Sequence, residues 1–270
     1  MRMRSFCYHG MICSSILFAV FASGGRPSGA LTIGAHEAGI QRYEKLSVDN
    51  PRPMAEAVKQ LQNKYGVIIT YEDPRFIYEA DLVDKTDPQY RRAHPGGYKA
   101  LSPKGGHLEI NYVVSPLTGK PETPLTLLQQ LLDVYAASDN PGRFRLKQTG
   151  RFFHVVPRQV KNNRGQWVDQ GSILDLPISF PERQRSGFET VETILKAVSQ
   201  SAGISVGIGT APMNLMNLLI KNQITQSASH EIASDVLVRT LESTKQKLSW
   251  RLLYSPGQKC FFLNLHSVPD

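Results

Sequence analysis

Cysteine is almost missing from this chain. Three occur in 270 residues, and Cys7 and Cys13 both lie in the first thirty. Beyond that stretch Cys260 stands alone, so no disulfide framework can staple the fold and stability must come from apolar cores. Long hydrophobic runs are scarce as well. The apolar stretch 11–22 falls short of the ~20 residues that a membrane-crossing helix needs, and no second one follows it. Clustered metal ligands are lacking: His36, His94, His107, His154, His230 and His266 are scattered without ligand spacing, so neither a metal nor another cofactor is expected. Nucleotide cradles are lacking too. "GIGTAP" has no third glycine and no helix opening behind it, and "PKGGH" does not end in Gly-Lys-Ser/Thr, so both read as turns.

What is present begins with a leader. Arg2 and Arg4 precede the apolar stretch, and Ser28 and Ala30 supply small residues at the −3 and −1 positions of a cleavage site. Residues 1–30 therefore read as a secretory signal peptide, and the expected location is the periplasm or the exterior. Removing them takes three arginines and no acids from 31 basic and 23 acidic residues, leaving a net charge of +5. That is well short of the footprint of a nucleic-acid binder.

The remainder uses one plan twice. In "DNPRPMAEAVKQLQNKYG" the side chains Met54, Ala57, Val58, Leu61 and Tyr65 fall on one helical face, with Asp49 or Asn50 to cap the start and Gly66 to end it. "VIITY" then alternates as a strand. In "GFETVETILKAVSQSAGISVGI" the residues Val191, Ile194, Leu195, Val198, Ala202 and Gly203 repeat that pattern 137 positions later. Internal similarity of this kind marks a duplicated unit. A second helix and a closing hairpin follow in both copies: Leu125, Leu128, Leu132 and Tyr135 carry the helix of the first, and Phe144-Arg145-Leu146 matches Trp250-Arg251-Leu252. Between the halves lie the strand candidates "HLEINYVV" and "NLLIKNQI". The expected fold is α+β, with two tandem βαββαββ units at 31–157 and 172–270, each packing two helices on small sheets. Residues 158–171 read as a polar linker containing Trp167, and 79–106 as a surface loop inserted in the first unit.

"RPMAEAVKQLQNKYGVIITYE", followed later by "TPLTLLQQLLDVYAASDNPGRFRL", resembles the secretin and TonB short N-terminal domain. In that family a first amphipathic helix leads to a strand, and a second helix leads to a closing hairpin. "ETVETILKAVSQSAGISV" and "IASDVLVRTLESTKQKLSWRL" resemble the same pair again. The resemblance implies small, periplasmic, noncatalytic docking modules of the cell envelope. An envelope protein partner is then expected, with no nucleic acid and no transmembrane segment in the mature chain.

Three patterns imitate active sites. "GISVG" fits G-x-S-x-G, with Asp235 and His266 following in the order of an α/β-hydrolase, so a serine hydrolase on Ser205, Asp235 and His266 is one alternative. That chemistry needs the serine on a turn from strand into helix. Here a helix ends at Gly203 and a strand follows. "HEIAS" places Ser234 where a zinc site needs its second histidine. "EDPR" offers the adjacent carboxylates Glu72 and Asp73 beside Arg75, but neighbouring strand residues point to opposite faces and do not converge on one bond. These three charges have no counterparts in the second copy, so they are expected to contact a partner or to support the insertion. Arg91, Arg92, Tyr98 and Lys104 of the basic insertion join them as candidate contacts, with an anionic glycan or lipid as a further alternative ligand.

Overall fold

The computed structural model describes residues 42–121 and 123–270. Residues 1–41, which include the expected signal peptide 1–30, lie outside them. In the first half β1 (Arg42–Asp49) precedes α1 (Pro53–Tyr65) and β2 (Ile68–Glu72). The insertion then contributes β3 (Leu82–Asp84), α2 (Pro88–Ala93) and β4 (Leu101–Pro103). Next come β5 (His107–Val114), α3 (Pro124–Ala137), β6 (Arg143–Thr149) and β7 (Phe152–Lys161). After β8 (Trp167–Asp169) the second half repeats the order with β9 (Pro177–Ser186), α4 (Gly187–Ala202) and β10 (Val206–Ile208). It continues through α5 (Met213–Lys221), β11 (Gln223–Ile232), α6 (Ala233–Glu242), β12 (Leu248–Ser255) and β13 (Cys260–Ser267). The fold is α+β, as the periodicities require.

Both copies of the leading helix end as their glycines dictate: Gly66 and Gly203 adopt left-handed backbone at φ 64° and 62°. Their starts differ. Ser186 and Glu189 form a reciprocal capping box on α4, whereas α1 opens on Arg52 with no side-chain cap and with Pro53 in its first turn. Neither Asp49 nor Asn50 caps α1; the Asn50 side chain instead accepts from the Arg52 N–H at 2.8 Å.

Four further expectations are corrected. The insertion is ordered secondary structure, because Asp87 caps α2 by accepting from the N–H groups of Gln89 and Tyr90 and Pro88 presets its first turn. The expected linker 158–171 is half sheet: β7 runs on to Lys161, β8 pairs with it, and Trp167 lies under the Arg143 guanidinium at 4.3 Å. "NLLIKNQI" is mostly the end of α5, since Leu215 and Leu219 bury four residues apart at helical spacing. On α3 the buried stripe runs through Leu127, Leu128, Leu131, Leu132 and Tyr135, and Leu125 is exposed.

The two halves share one sheet in the order β10-β13-β12-β2-β7-β6. Within each half the shorter strand runs parallel to the last strand, which is antiparallel to its hairpin partner: β2 with β7 and β6, β10 with β13 and β12. The join is the parallel pair β12 and β2. Ile69, Tyr71, Phe144 and Val155 belong to a core with α1 and α3, while Val206, Trp250, Leu252 and Phe261 belong to one with α4 and α6. On β2, Ile68 faces the second core and Ile69 the first, so the two cores cover opposite faces of the sheet. The copies are thus related by a half-turn about a line across the strands plus a shift of three strands. This is a screw operation, and a screw does not close on itself.

Candidate functional site

Glu72 and Asp73, at the end of β2, are buried at 1% and 0% exposure. They are not surface contacts, and the strand's alternation sends them to opposite faces. Glu72 accepts from the Ser172 hydroxyl and, at 2.7 Å, from the Ile173 N–H, which fastens β2 to the start of the second half. Asp73 accepts from Arg52 Nε at 2.7 Å, from the Tyr71 hydroxyl at 2.7 Å and from the Tyr254 N–H at 3.0 Å. Arg52 also donates to the Tyr254 carbonyl at 2.7 Å. The two carboxyls peculiar to the first copy are therefore the polar clasp between the copies. Arg75 is exposed, and its backbone N–H donates to the Gln170 side chain.

Beside Glu72 lies a small cavity of about 10 Å³, lined by Thr70, His154, Ser172, Asp175 and Trp250. It has room for about one water. Burial pushes the Glu72 carboxyl up to about 8. Burial and the nearby Lys147 hold His154 down at about 4, so its ring is neutral. The His154 Nδ1 pairs with the Thr70 hydroxyl at 2.7 Å, and its buried Nε2 has no protein partner. A water in this cavity can satisfy that nitrogen. At this volume the cavity holds no more than a water, and the cluster's hydrogen bonds fasten β2 to the second half.

The open site is elsewhere. Glu192, Leu195, Lys196 and Ser199 of α4 face Val206 and Ile208 of β10 across a groove of about 490 Å³. The Ser205 carbonyl accepts from Phe261 and the Gly209 N–H donates to Leu263, so alternation turns the backbone groups of Val206 and Ile208 to the opposite, outer side. Ser199 Oγ occupies the Val206 N–H at 2.9 Å. Among the described residues no strand lies against this edge, which leaves the N–H and C=O of Ile208 as its pairing groups.

The first half contains the same groove, already filled. There Gln62, 137 residues before Ser199, takes the N–H of Ile69, 137 residues before Val206. Next to that cap β12 pairs with β2, Arg251 opposite Tyr71 and Leu252 opposite Glu72, and the Asp73 N–H donates to the Leu252 carbonyl at 2.8 Å. Leu253 packs on the first core. The cap pair Gln62 and Ser199 escaped the reading of apolar positions, although the 137-residue offset places both at matching polar sites.

The hydrolase residues are not brought together. Ser205 is exposed just before β10, and Asp235 is exposed in the first turn of α6. His266 lies on the face of β13 opposite the one that Phe261, Leu263 and Leu265 turn toward α6, so the sheet separates it from Asp235. Burial with Arg251 and Lys59 nearby holds its ring down at about 4. Among the described residues no group of His, Cys, Asp and Glu is arranged to hold a metal, and no helix is long and apolar enough to cross a membrane.

Arg91, Arg92, Tyr98 and Lys104 of the insertion are exposed, and Arg91 pairs with Asp84 at 2.6 Å. Arg91 and Tyr98 line a shallow groove of about 310 Å³ with Tyr90 and His94, whose rings stack at 4.4 Å. The insertion also docks on the second half. A Cβ at Gly257, in the turn between β12 and β13, would fall 2.1 Å from the Lys99 carbonyl and 2.9 Å from the Tyr98 ring. Gly257→Ala should therefore lift residues 98–99, at a cost of about 1 kcal/mol from overpacking. Hydrogen exchange reads this as faster amide exchange across β4, and unchanged protection there would contradict the docking.

Comparison with protein-family models, with curated proteins and with solved structures returned no match to this chain.

Proposed function

We propose that this chain is a noncatalytic docking module of the bacterial cell envelope, exported by its leader and built from two copies of a unit like the secretin and TonB short N-terminal domain. One observation carries the docking role. The groove between α4 and β10 ends the sheet on an outward strand edge, and its duplicate between α1 and β2 is occupied by a strand of the same chain. An edge of this kind takes an extended segment by backbone pairing, and side chains on the adjacent helix select it. Here the half-buried Ile208 offers apolar contact, with Glu192 and Lys196 offering one charge of each sign.

A photo-crosslinking residue at position 208, introduced into cells that export the protein, tests the reading. Crosslinks from 208 should map to one extended polypeptide segment, whereas the same probe at exposed Asp133 on α3 should give none of them. Crosslinks that are absent, or equal at both positions, would remove the docking role of this edge.

A further inference from the structure

We propose that the segment received by the α4 and β10 groove is strand β6 of a second copy of this chain, so that copies join head to tail into an open row. The inference rests on the docking reading above and names the occupant. Its basis is the join already present inside the molecule. There the groove of one unit, α1 with β2, receives the hairpin strand β12 of the other unit in parallel. The counterpart of β12 is β6, and the counterpart of the α1 and β2 groove is the α4 and β10 groove. These two surfaces are the ones left over at the ends of the order β10-β13-β12-β2-β7-β6. A heterologous contact used once within a chain leaves one complementary half at each end, and repeating it adds chains without closing.

The backbone details transfer at Ile208, whereas the counterpart of the Asp73 N–H, that of Thr210, is taken by the Asn264 side chain at 2.8 Å and would have to be released for the full ladder. Ile208 stands where Tyr71 does, 137 residues on, and its backbone faces outward in the same sense. The polar cap beside it is present in both copies, as Gln62 on Ile69 and Ser199 on Val206. On the other partner, Arg145 and Leu146 stand where Arg251 and Leu252 do, and alternation along the β6 and β7 ladder leaves the N–H and C=O of Leu146 on the open side. The expected register is Arg145 opposite Ile208 of the next copy. Charge agrees with it in kind: Arg251 feels the Glu56 carboxylate of α1, and although Thr193 stands at the position of Glu56, the adjacent Glu192 lines the groove that would receive Arg145. Arg145 and Lys147 are tied to Asp175 at 3.1 and 2.5 Å on one face of β6, so the edge is charged and ordered. Such an edge discourages pairing with arbitrary strands and favours a groove that supplies an acid.

Sedimentation of the full mature protein over a wide concentration range tests this directly. The weight-average mass should rise continuously past that of a dimer. A wild type that stays monomeric throughout, or one that stops at a dimer, overturns the proposal without any variant. Ile208→Pro and Leu146→Pro each remove one outward N–H while sparing the inner ladder, and folding is checked by circular dichroism. Each alone should associate about tenfold or more weakly than wild type. Mixed, they should form a one-to-one pair that grows no further, because each retains the half-contact that the other lacks. Growth by the single variants at the wild-type rate, or no pairing on mixing two folded variants, also overturns it. Crosslinks from position 208 to a different polypeptide, with a monomeric wild type, would reject the second copy and keep the docking role. A monomer with no crosslinks rejects both.

Discussion

Asp73→Ala is expected to destabilise the protein by about 3–5 kcal/mol, the cost of removing one partner from a buried ion pair. Three donors converge on this carboxylate, and none has a substitute. Arg52 would keep its charge in a site where its side chain is only 22% exposed, while the Tyr71 hydroxyl and the Tyr254 N–H would be left buried without acceptors. Asp73→Asn should recover part of the loss, since an amide oxygen still accepts from Arg52 and Tyr254 without balancing the charge. Urea unfolding followed by tryptophan fluorescence reads the effect through Trp250, which is buried at the join. A loss under about 1 kcal/mol would mean that the clasp contributes little and that apolar packing alone joins the halves.

Glu72→Gln is expected to change how stability depends on pH. The folded-state pKa of Glu72 is raised to about 8, so its contribution is fully present below its unfolded value and is lost as pH rises toward 8. His154 and His266 act in the opposite sense. Both are held at about 4, so their contributions are lost as pH falls from the ordinary histidine value of about 6.5 toward 4. Below about 6.5 the two histidines outweigh the single carboxyl, and above it Glu72 outweighs them, which places maximum stability near pH 6.5. Between about 6.5 and 8 the wild type should lose roughly 1 kcal/mol, the Glu72 loss being partly offset as the unfolded-state histidines finish deprotonating. Glu72→Gln, neutral at every pH and of the same shape, should lose nothing across that interval. An equal slope in both proteins would show that Glu72 does not carry it.

Much of the fold is legible in the residues, for a physical reason. Helix stripes such as Met54, Ala57, Val58 and Leu61, and stop signals such as Gly66 and Gly203, act within a few residues and leave a periodic trace. The insertion departs from its composition because a local cap outweighs composition, as with Asp87 and Pro88 at α2. Residues 158–171 depart from theirs because sheet pairing is not local. Polar residues extend β7 once β8 and the Arg143–Trp167 stack are available to receive them.

The carboxyl pair separates the two levels most clearly. Alternation along a strand decided, from the sequence alone, that Glu72 and Asp73 face opposite ways and form no acid–base pair. The 137-residue offset likewise marked them as belonging to one copy only. Their partners, Ser172 and Ile173 on one face and Arg52 and Tyr254 on the other, could not be read there. Ser172, Ile173 and Tyr254 lie a hundred or more positions away, and neither local periodicity nor the 137-residue offset pairs them with these carboxyls. The sequence determined a duplicated α+β unit through local spacing. Only tertiary structure decided that the copies join edge to edge by a screw, with one groove filled and its twin left open, because that outcome depends on which strand edges meet.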